Sequence, residues 1–221
     1  MTEETLTRYR ISFTKGAHLR YIGHLDLHRT MERTLRRAKL PLGYSKGFNP
    51  RVKLNLSTAL PLGCSSKAEL ADIWLVTARD GTLVLESLCK SAPPGMTFTH
   101  IEKIDLRTPS LQSQIQACEY QVELSNLREP STLSKNVAAL LETERLPRTR
   151  RGKDYDLRPL IQSLQLFEDE RDTSILQMVL SVGERSTGRP EEVLLALDLD
   201  PTECLIERTK LFLAAETSTE K

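Results

Sequence analysis

"RYRISFTKGAHLRYIGHLDLHRTMERTLRRAKLPLGYSKGFNPRVKLNL", Arg8 to Leu56, changes its hydrophobic period twice, and those changes set the fold class. In "RYRISFTK", Tyr9, Ile11 and Phe13 alternate with Arg8, Arg10, Ser12 and Thr14, the period of a half-buried strand. In "HLDLHRTMERTLRRAKL", Leu27, Met31, Leu35 and Ala38 recur at helical spacing without an intervening Gly or Pro. At 100° per residue, Arg29, Arg33, Arg36 and Arg37 fall opposite that apolar stripe, toward solvent or a ligand. Pro41 and Gly43 stop the helix, and "RVKLNL" resumes the period of two, with Val52, Leu54 and Leu56 inward and Arg51, Lys53 and Asn55 as an outer row.

Working outward, "AELADIWLVTA" (68–78) reads as a third strand, "TLVLESLCKSAPPG" (82–95) as a helix ended by Pro93-Pro94-Gly95, and "MTFTHIEKIDL" (96–106) as a fourth strand. The order is βαββαβ. The second half repeats it more faintly. "SQIQACEYQVEL" (113–124) is a strand, "STLSKNVAALLET" (131–143) a helix capped by Ser131 or Ser134, and "LRPLIQSLQLFEDE" with "TSILQMVLSVG" a strand pair. "RPEEVLLALDLD" is a short helix with Pro190 and acids in its first turn, and "ECLIERTKLFL" closes the sheet. The expected fold is α+β, two tandem ferredoxin-like units with antiparallel sheets. Residues 1–107 and 111–213 form the units, joined near Thr108-Pro109-Ser110, and 214–221 form a disordered tail.

Net charge is +1 over 221 residues, but it is polarised. Residues 1–60 hold twelve Lys/Arg against four Asp/Glu, an excess of +8, while the other 161 carry 19 against 26, or −7. A basic first quarter is the asymmetry that polyanion binding produces. No apolar run approaches the roughly 20 residues of a spanning helix. Met1–Arg10 lacks the apolar stretch of a secretory signal, so the expected location is the cytoplasm. Cys64, Cys89, Cys118 and Cys204 stand far apart, without CxxC spacing. They read as buried thiols rather than metal ligands, and neither a metal nor a cofactor is expected.

Between the first helix and second strand, "GYSKGFNPRVK" sets Tyr44 and Phe48 among Lys46, Arg51 and Lys53, with Ser45 and Asn49 as neutral hydrogen-bonding groups. Gly47 permits a positive φ, and Pro50 restrains Asn49. Aromatic faces stack on bases, and cations replace the counterions condensed on phosphates, so this loop is an expected RNA contact. Arg29, Arg33 and Arg36 join it from the helix. A second basic run, "RLPRTRRGKDYDLRP" (145–159), reads as an outward loop or hairpin that adds Arg148, Arg150, Arg151 and Lys153.

His24 and His28, four apart on the first helix and near His18, are the candidates for acid–base chemistry or chelation, but no HExxH is present. GxxxxGK[ST], GxGxxG and GxSxG are also missing from the sequence.

"YIGHLDLHR" (21–29), "RTLRRAKLPLGYSKGFNPR" (33–51), "LPLG" (60–63), "ELADIWL" (69–75) and "KDYDLRPLI" (153–161) resemble the radical-SAM-associated bacterial family DUF2344. The resemblance implies a separately encoded radical-SAM partner. This chain lacks CxxxCxxC, so it would be the stand-alone accessory rather than the catalyst. The tandem element order with "YIGHLDL" before a helix is also similar to Cas6-type CRISPR RNA endonucleases. The leading expectation is therefore a non-catalytic RNA-binding accessory that presents structured RNA, a tRNA or rRNA, to a radical-SAM modifying enzyme. The alternatives are metal-independent RNA cleavage by His24 or His28, and a protein-only adaptor.

Overall fold

The structure, a computed structural model of the chain, describes residues 6–124, 130–150, 152–168, 173–183 and 186–214. The expected tail from 215 onward lies outside them. The chain is a mixed α+β protein with two compact units, Met1–Gln114 and Ile115–Lys221.

In the first unit the elements are β1 (Thr7–Lys15), α1 (His24–Arg37), β2 (Leu54–Leu56), β3 (Ser65–Leu75), α2 (Gly81–Ser91), β4 (Met96–Ile104) and the four-residue α3 (Leu111–Gln114). The strands lie in the order β4-β1-β3, with β2 on β3, and every pairing is antiparallel. Alternation places Tyr9, Ile11 and Phe13 of β1 and Ala71, Ile73 and Leu75 of β3 on the inner face. Leu27, Met31 and Leu35 of α1 and Val84 and Leu88 of α2 cover it. Each large side chain so buried contributes about 1.5–3 kcal/mol. Asp80 caps α2 by accepting from the Thr82 and Leu83 amides.

β1 departs from the half-buried reading, because its polar face is covered as well. Arg8 is 3% exposed and Arg10 5%. Both close on Asp72 of β3, with Arg10 Nε donating to Oδ1 at 2.8 Å and Arg8 Nε to Oδ2 at 3.1 Å. One carboxylate cannot neutralise two guanidiniums. The remaining charge is met by the carbonyls of Thr108 and Pro109, which accept from Arg8, and by Gln114 Oε1, which accepts from Arg10. The Arg8 guanidinium also lies over the Trp74 ring, 5.2 Å from its centroid. The Thr108-Pro109 segment is thus pinned to β1.

The second unit comprises β5 (Ile115–Leu124), α4 (Pro130–Glu142), β6 (Pro147–Arg150), β7 (Lys153–Asp156), β8 (Ile161–Glu168), β9 (Ser174–Ser181), α5 (Pro190–Ala196) and β10 (Leu205–Leu213). Its sheet runs β10-β5-β9-β8, all antiparallel, with the β6–β7 hairpin as a separate two-stranded sheet. Leu176, Met178 and Leu180 of β9 and Leu133, Val137 and Leu140 of α4 supply core.

Four expectations are corrected. The strand expected from Leu157 starts at Ile161, because Arg158–Leu160 form a 3-10 turn around Pro159. α5 ends at Ala196, ahead of the positive-φ Asp198. α4 already includes Pro130, so neither Ser131 nor Ser134 stands at its N-cap. Cys64 and Cys118 are buried, but Cys204 is half-buried and Cys89 exposed, since Cys89 lies on the margin of the α2 stripe carried by Val84 and Leu88.

Candidate nucleic-acid interface

The loop between α1 and β2 is a finger with paired sides. Its base is set by Gly43, whose amide donates to the Trp74 carbonyl at 2.6 Å. A Cβ at Gly43 would come within 2.9 Å of Leu6 and 3.1 Å of that carbonyl, so the close approach demands glycine. Above it Lys53 N–H donates to the Gly43 carbonyl at 2.8 Å, Tyr44 bridges Val52, and Ser45 N–H donates to the Arg51 carbonyl at 2.8 Å. Ser45 Oγ accepts the Arg51 amide in return. The finger closes through residues 46–50, where Gly47 takes a φ of +133°.

This ladder displays the expected residues together. Phe48 is fully exposed, at 105%, and Lys46, Asn49 and Arg51 at the tip are exposed as well. Lys53 is half-buried lower down. An apolar ring left wholly in water gains nothing from the fold. Tyr44 is exposed on one side, and the Arg36 guanidinium of α1 lies 5.6 Å from its ring centroid, joining finger to helix. The Glu32 carboxylate and then Tyr44 hold Arg36 more firmly protonated than usual.

α1 turns Arg29, Arg33 and Arg36 to solvent, as its period requires. Two of them have intrahelical partners, the exposed Asp26 for Arg29 at 3.2 Å and the half-buried Glu32 for Arg36 at 2.8 Å. Exposed pairs of this kind are worth about 0–1 kcal/mol, so a phosphate can replace the carboxylate. Asp26 therefore acts as a first-turn acid and an ion-pair partner, while Gly23 provides the N-cap without a side-chain bond.

In the second unit the basic run forms the β6–β7 hairpin, and it turns inward more than the sequence suggests. Arg148 faces Tyr155 and Arg150 faces Lys153 across the ladder, so all four share one hairpin face. Arg148 and Arg150 are half-buried, and the Tyr155 hydroxyl and Arg148 Nε are buried without a hydrogen-bond partner. Burial, reinforced by Glu192, pushes the Tyr155 hydroxyl up, against the pull of Arg150, Arg148 and Arg189. Lys153 is exposed, and Arg151 lies outside the described residues. Asp156 ties the hairpin base by accepting from the Leu146 and Arg158 amides at 2.8 and 3.0 Å, and these bonds hold its carboxyl below the usual range.

His24 opens α1 and His28 follows one turn later, both half-buried, while His18 is exposed on the preceding 3-10 turn. Among the described residues no group of three His, Cys, Asp or Glu is placed to hold a metal ion, and no helix is long and apolar enough to cross a membrane.

Periodicity does not single out Tyr21, which precedes α1. Its ring is 67% exposed beneath the Arg20 guanidinium, 4.8 Å from the centroid. The legible signal is a spacing of four, Tyr21, Leu25, Arg29 and Arg33, running into the exposed face of α1.

No curated protein matches the chain. Among solved structures it is similar to a chain of a Cbf5-Nop10-Gar1 complex, at TM-score 0.48 and 10% identity over 92% of this chain and 48% of that one. The protein therefore spans about half the length of that relative. It is also similar to a putative glycine cleavage system transcriptional repressor, at TM-score 0.27 and 11% identity over 91% of this chain and 95% of that one. At these values neither likeness carries a functional argument. A family model described as an uncharacterized protein conserved in bacteria, DUF2344, matches residues 8–190, and the chain belongs to that family.

Proposed function

We propose that the protein is a non-catalytic RNA-binding accessory that presents structured RNA, such as a tRNA or rRNA, to a radical-SAM modifying enzyme. The observation that carries the RNA reading is the finger. Phe48 stands in water at the tip, Tyr44 lies under Arg36, and Lys46, Arg51 and Lys53 stand on the same finger. Stacking supplies sequence-tolerant energy, and cations supply a salt-dependent term. Arg29, Arg33 and Arg36 extend the same surface along α1. Asn49 contributes a neutral hydrogen-bonding group at the tip. Arg148, Arg150, Arg151 and Lys153 form a separate contact in the second unit.

The radical-SAM partner follows from the family resemblance alone. A ferredoxin-like reading of each unit is supported by the repeated strand order, in which the first strand of each unit lies between the third and fourth core strands. His24 and His28 remain the groups to test for cleavage.

Fluorescence anisotropy with a tRNA, a ribosomal RNA hairpin and a matched DNA duplex at two salt concentrations tests the reading. RNA-selective binding that weakens with salt is the expected result. Equal or absent binding to all three overturns it and transfers the finger to a protein partner. In that case stoichiometric recovery of the partner free of nucleic acid after high-salt washing would establish the adaptor role.

A further inference from the structure

α1 is flanked by an exposed aromatic at each end, with cations between them. At its C-terminal end Tyr44 lies against Arg36, with Phe48 beyond on the finger. At its N-terminal end stands Tyr21, three residues before His24, with Arg20 over its ring. On the helical wheel Leu25, Arg29, Arg33 and Arg36 fall within one arc of the outward face, opposite Leu27, Met31 and Leu35. Leu25 is exposed, like the three arginines.

The turn that presents Tyr21 is held from below. The Arg20 carbonyl accepts the Gly63 amide at 2.9 Å and Lys15 Nζ at 3.2 Å. Lys15 is 1% exposed and also donates to the Cys64 carbonyl at 3.1 Å. A buried lysine thus clamps two turns, one bearing Tyr21 and the other bearing the exposed Leu62. Burying an ammonium is costly unless its bonds are made, and two of those bonds go to the backbone beneath an exposed ring. The backbone that presents the ring is held before any ligand arrives.

From these positions we infer that the outward face of α1 is a track for a single-stranded segment of nucleic acid, with base-stacking platforms at Tyr21 on one end and at Tyr44 and Phe48 on the other. This inference rests on the RNA reading above and specifies which part of the RNA is held. Bases inside a duplex are already stacked on one another, so exposed rings gain stacking only from unpaired bases. The 14 residues of α1 span about 21 Å, which a stacked strand covers in roughly six nucleotides at about 3.4 Å each. Arg29, Arg33 and Arg36 meet the phosphates between the platforms. Asp26 and Glu32 reduce the net charge of the track, which keeps it from holding duplex by phosphate contacts alone. The exposed leucines, Leu25 among the α1 arginines and Leu62 on the neighbouring turn, are too few to form an apolar protein-docking core.

The test uses the full chain and fluorescein-labelled oligouridylates of two to twelve nucleotides, with an RNA duplex of equal charge as competitor. Affinity is expected to climb steeply up to the length that reaches both platforms and then flatten, with the duplex competing poorly. Tyr21→Ala should weaken the long oligomers roughly tenfold to a hundredfold and leave the dinucleotide unchanged, while Tyr21→Phe, which keeps the ring, retains affinity. If RNA binds but Tyr21→Ala has no effect, or the duplex competes equally, the track is wrong and the RNA reading stands. If no RNA of either form binds, both fall, and capture of an acidic protein by the same face becomes the explanation.

Discussion

Arginine plays opposite parts in β1 and α1 of the first unit. Arg8 and Arg10 alternate with aromatic and aliphatic residues and look like an outer row, yet both are buried on Asp72. Arg29, Arg33 and Arg36 look equally ordinary on paper and stand in water, two of them paired with acids one turn earlier on the same helix. A charge count treats them alike. Of the twelve cations in residues 1–60, Arg8, Arg10 and Lys15 are unavailable to any polyanion, so the displayed charge is smaller than +8 and concentrated on α1 and the finger. The two basic hairpins repeat the lesson, since the finger displays its aromatics whereas β6–β7 folds Tyr155, Arg148 and Arg150 partly inward.

The contrast breaks most visibly at Asp72. Asp72→Asn leaves two buried guanidiniums short of their counter-charge and is expected to cost about 3–5 kcal/mol, read by urea denaturation. A loss under 1 kcal/mol would mean that the β1 arginines are not structural. Combined charge reversal at Lys46, Arg51 and Lys53 should leave the denaturation midpoint nearly unchanged while lowering RNA affinity roughly a hundredfold or more. The slope of log affinity against log salt should fall by about two, since each lost phosphate contact removes about 0.7. The matching reversal at Arg148, Arg150 and Lys153 should do the reverse, destabilising the hairpin and weakening RNA by less than about tenfold.

Smaller effects sharpen the picture. Tyr155→Phe removes a buried hydroxyl that has no partner, so stability should stay within about 1 kcal/mol of wild type or rise, whereas a larger loss would reveal a bond to an ordered water. Asp26→Asn with Glu32→Gln should change stability by under about 1 kcal/mol and raise RNA affinity a few-fold by freeing Arg29 and Arg36. Unchanged affinity would remove α1 from the interface. The base of the β6–β7 hairpin gives a pH signature of its own. Asp156 has a lowered pKa, so its stabilisation is full above the ordinary carboxylate range, near 3.9, and is lost as pH falls through its lower folded value. Protection of the Leu146 and Arg158 amides, measured as exchange relative to the intrinsic rate at each pH, should fall on that acid limb.

Much of the chain announces itself locally. α1 is legible because Leu27, Met31 and Leu35 keep a 3.6-residue period over an unbroken run, and the same wheel turns its arginines outward. The finger's tip chemistry is legible because Gly47 and Pro50 forbid a regular element there. The pairing of Tyr44 with Val52 is not, since finger sides too short for a hydrophobic period leave no pattern to read. Tyr21 is missed by the hydrophobic period for a similar reason, because the ring lies outside the helix, and only its spacing of four from Leu25 links it to the face of α1.

By itself the sequence determined the order of the main strands and helices, which face of α1 is apolar, and that aromatics and cations crowd one glycine-rich connection. These depend on neighbours within a few residues, where backbone geometry imposes the period. Tertiary structure alone decided that the β1 arginines are withheld from water. Asp72 lies more than 60 residues from Arg8 and Arg10, and only the antiparallel pairing of β1 with β3 brings that carboxylate to them. Whether a charge is buried and paired or displayed to a ligand depends on such distant partners, and no local pattern encodes them.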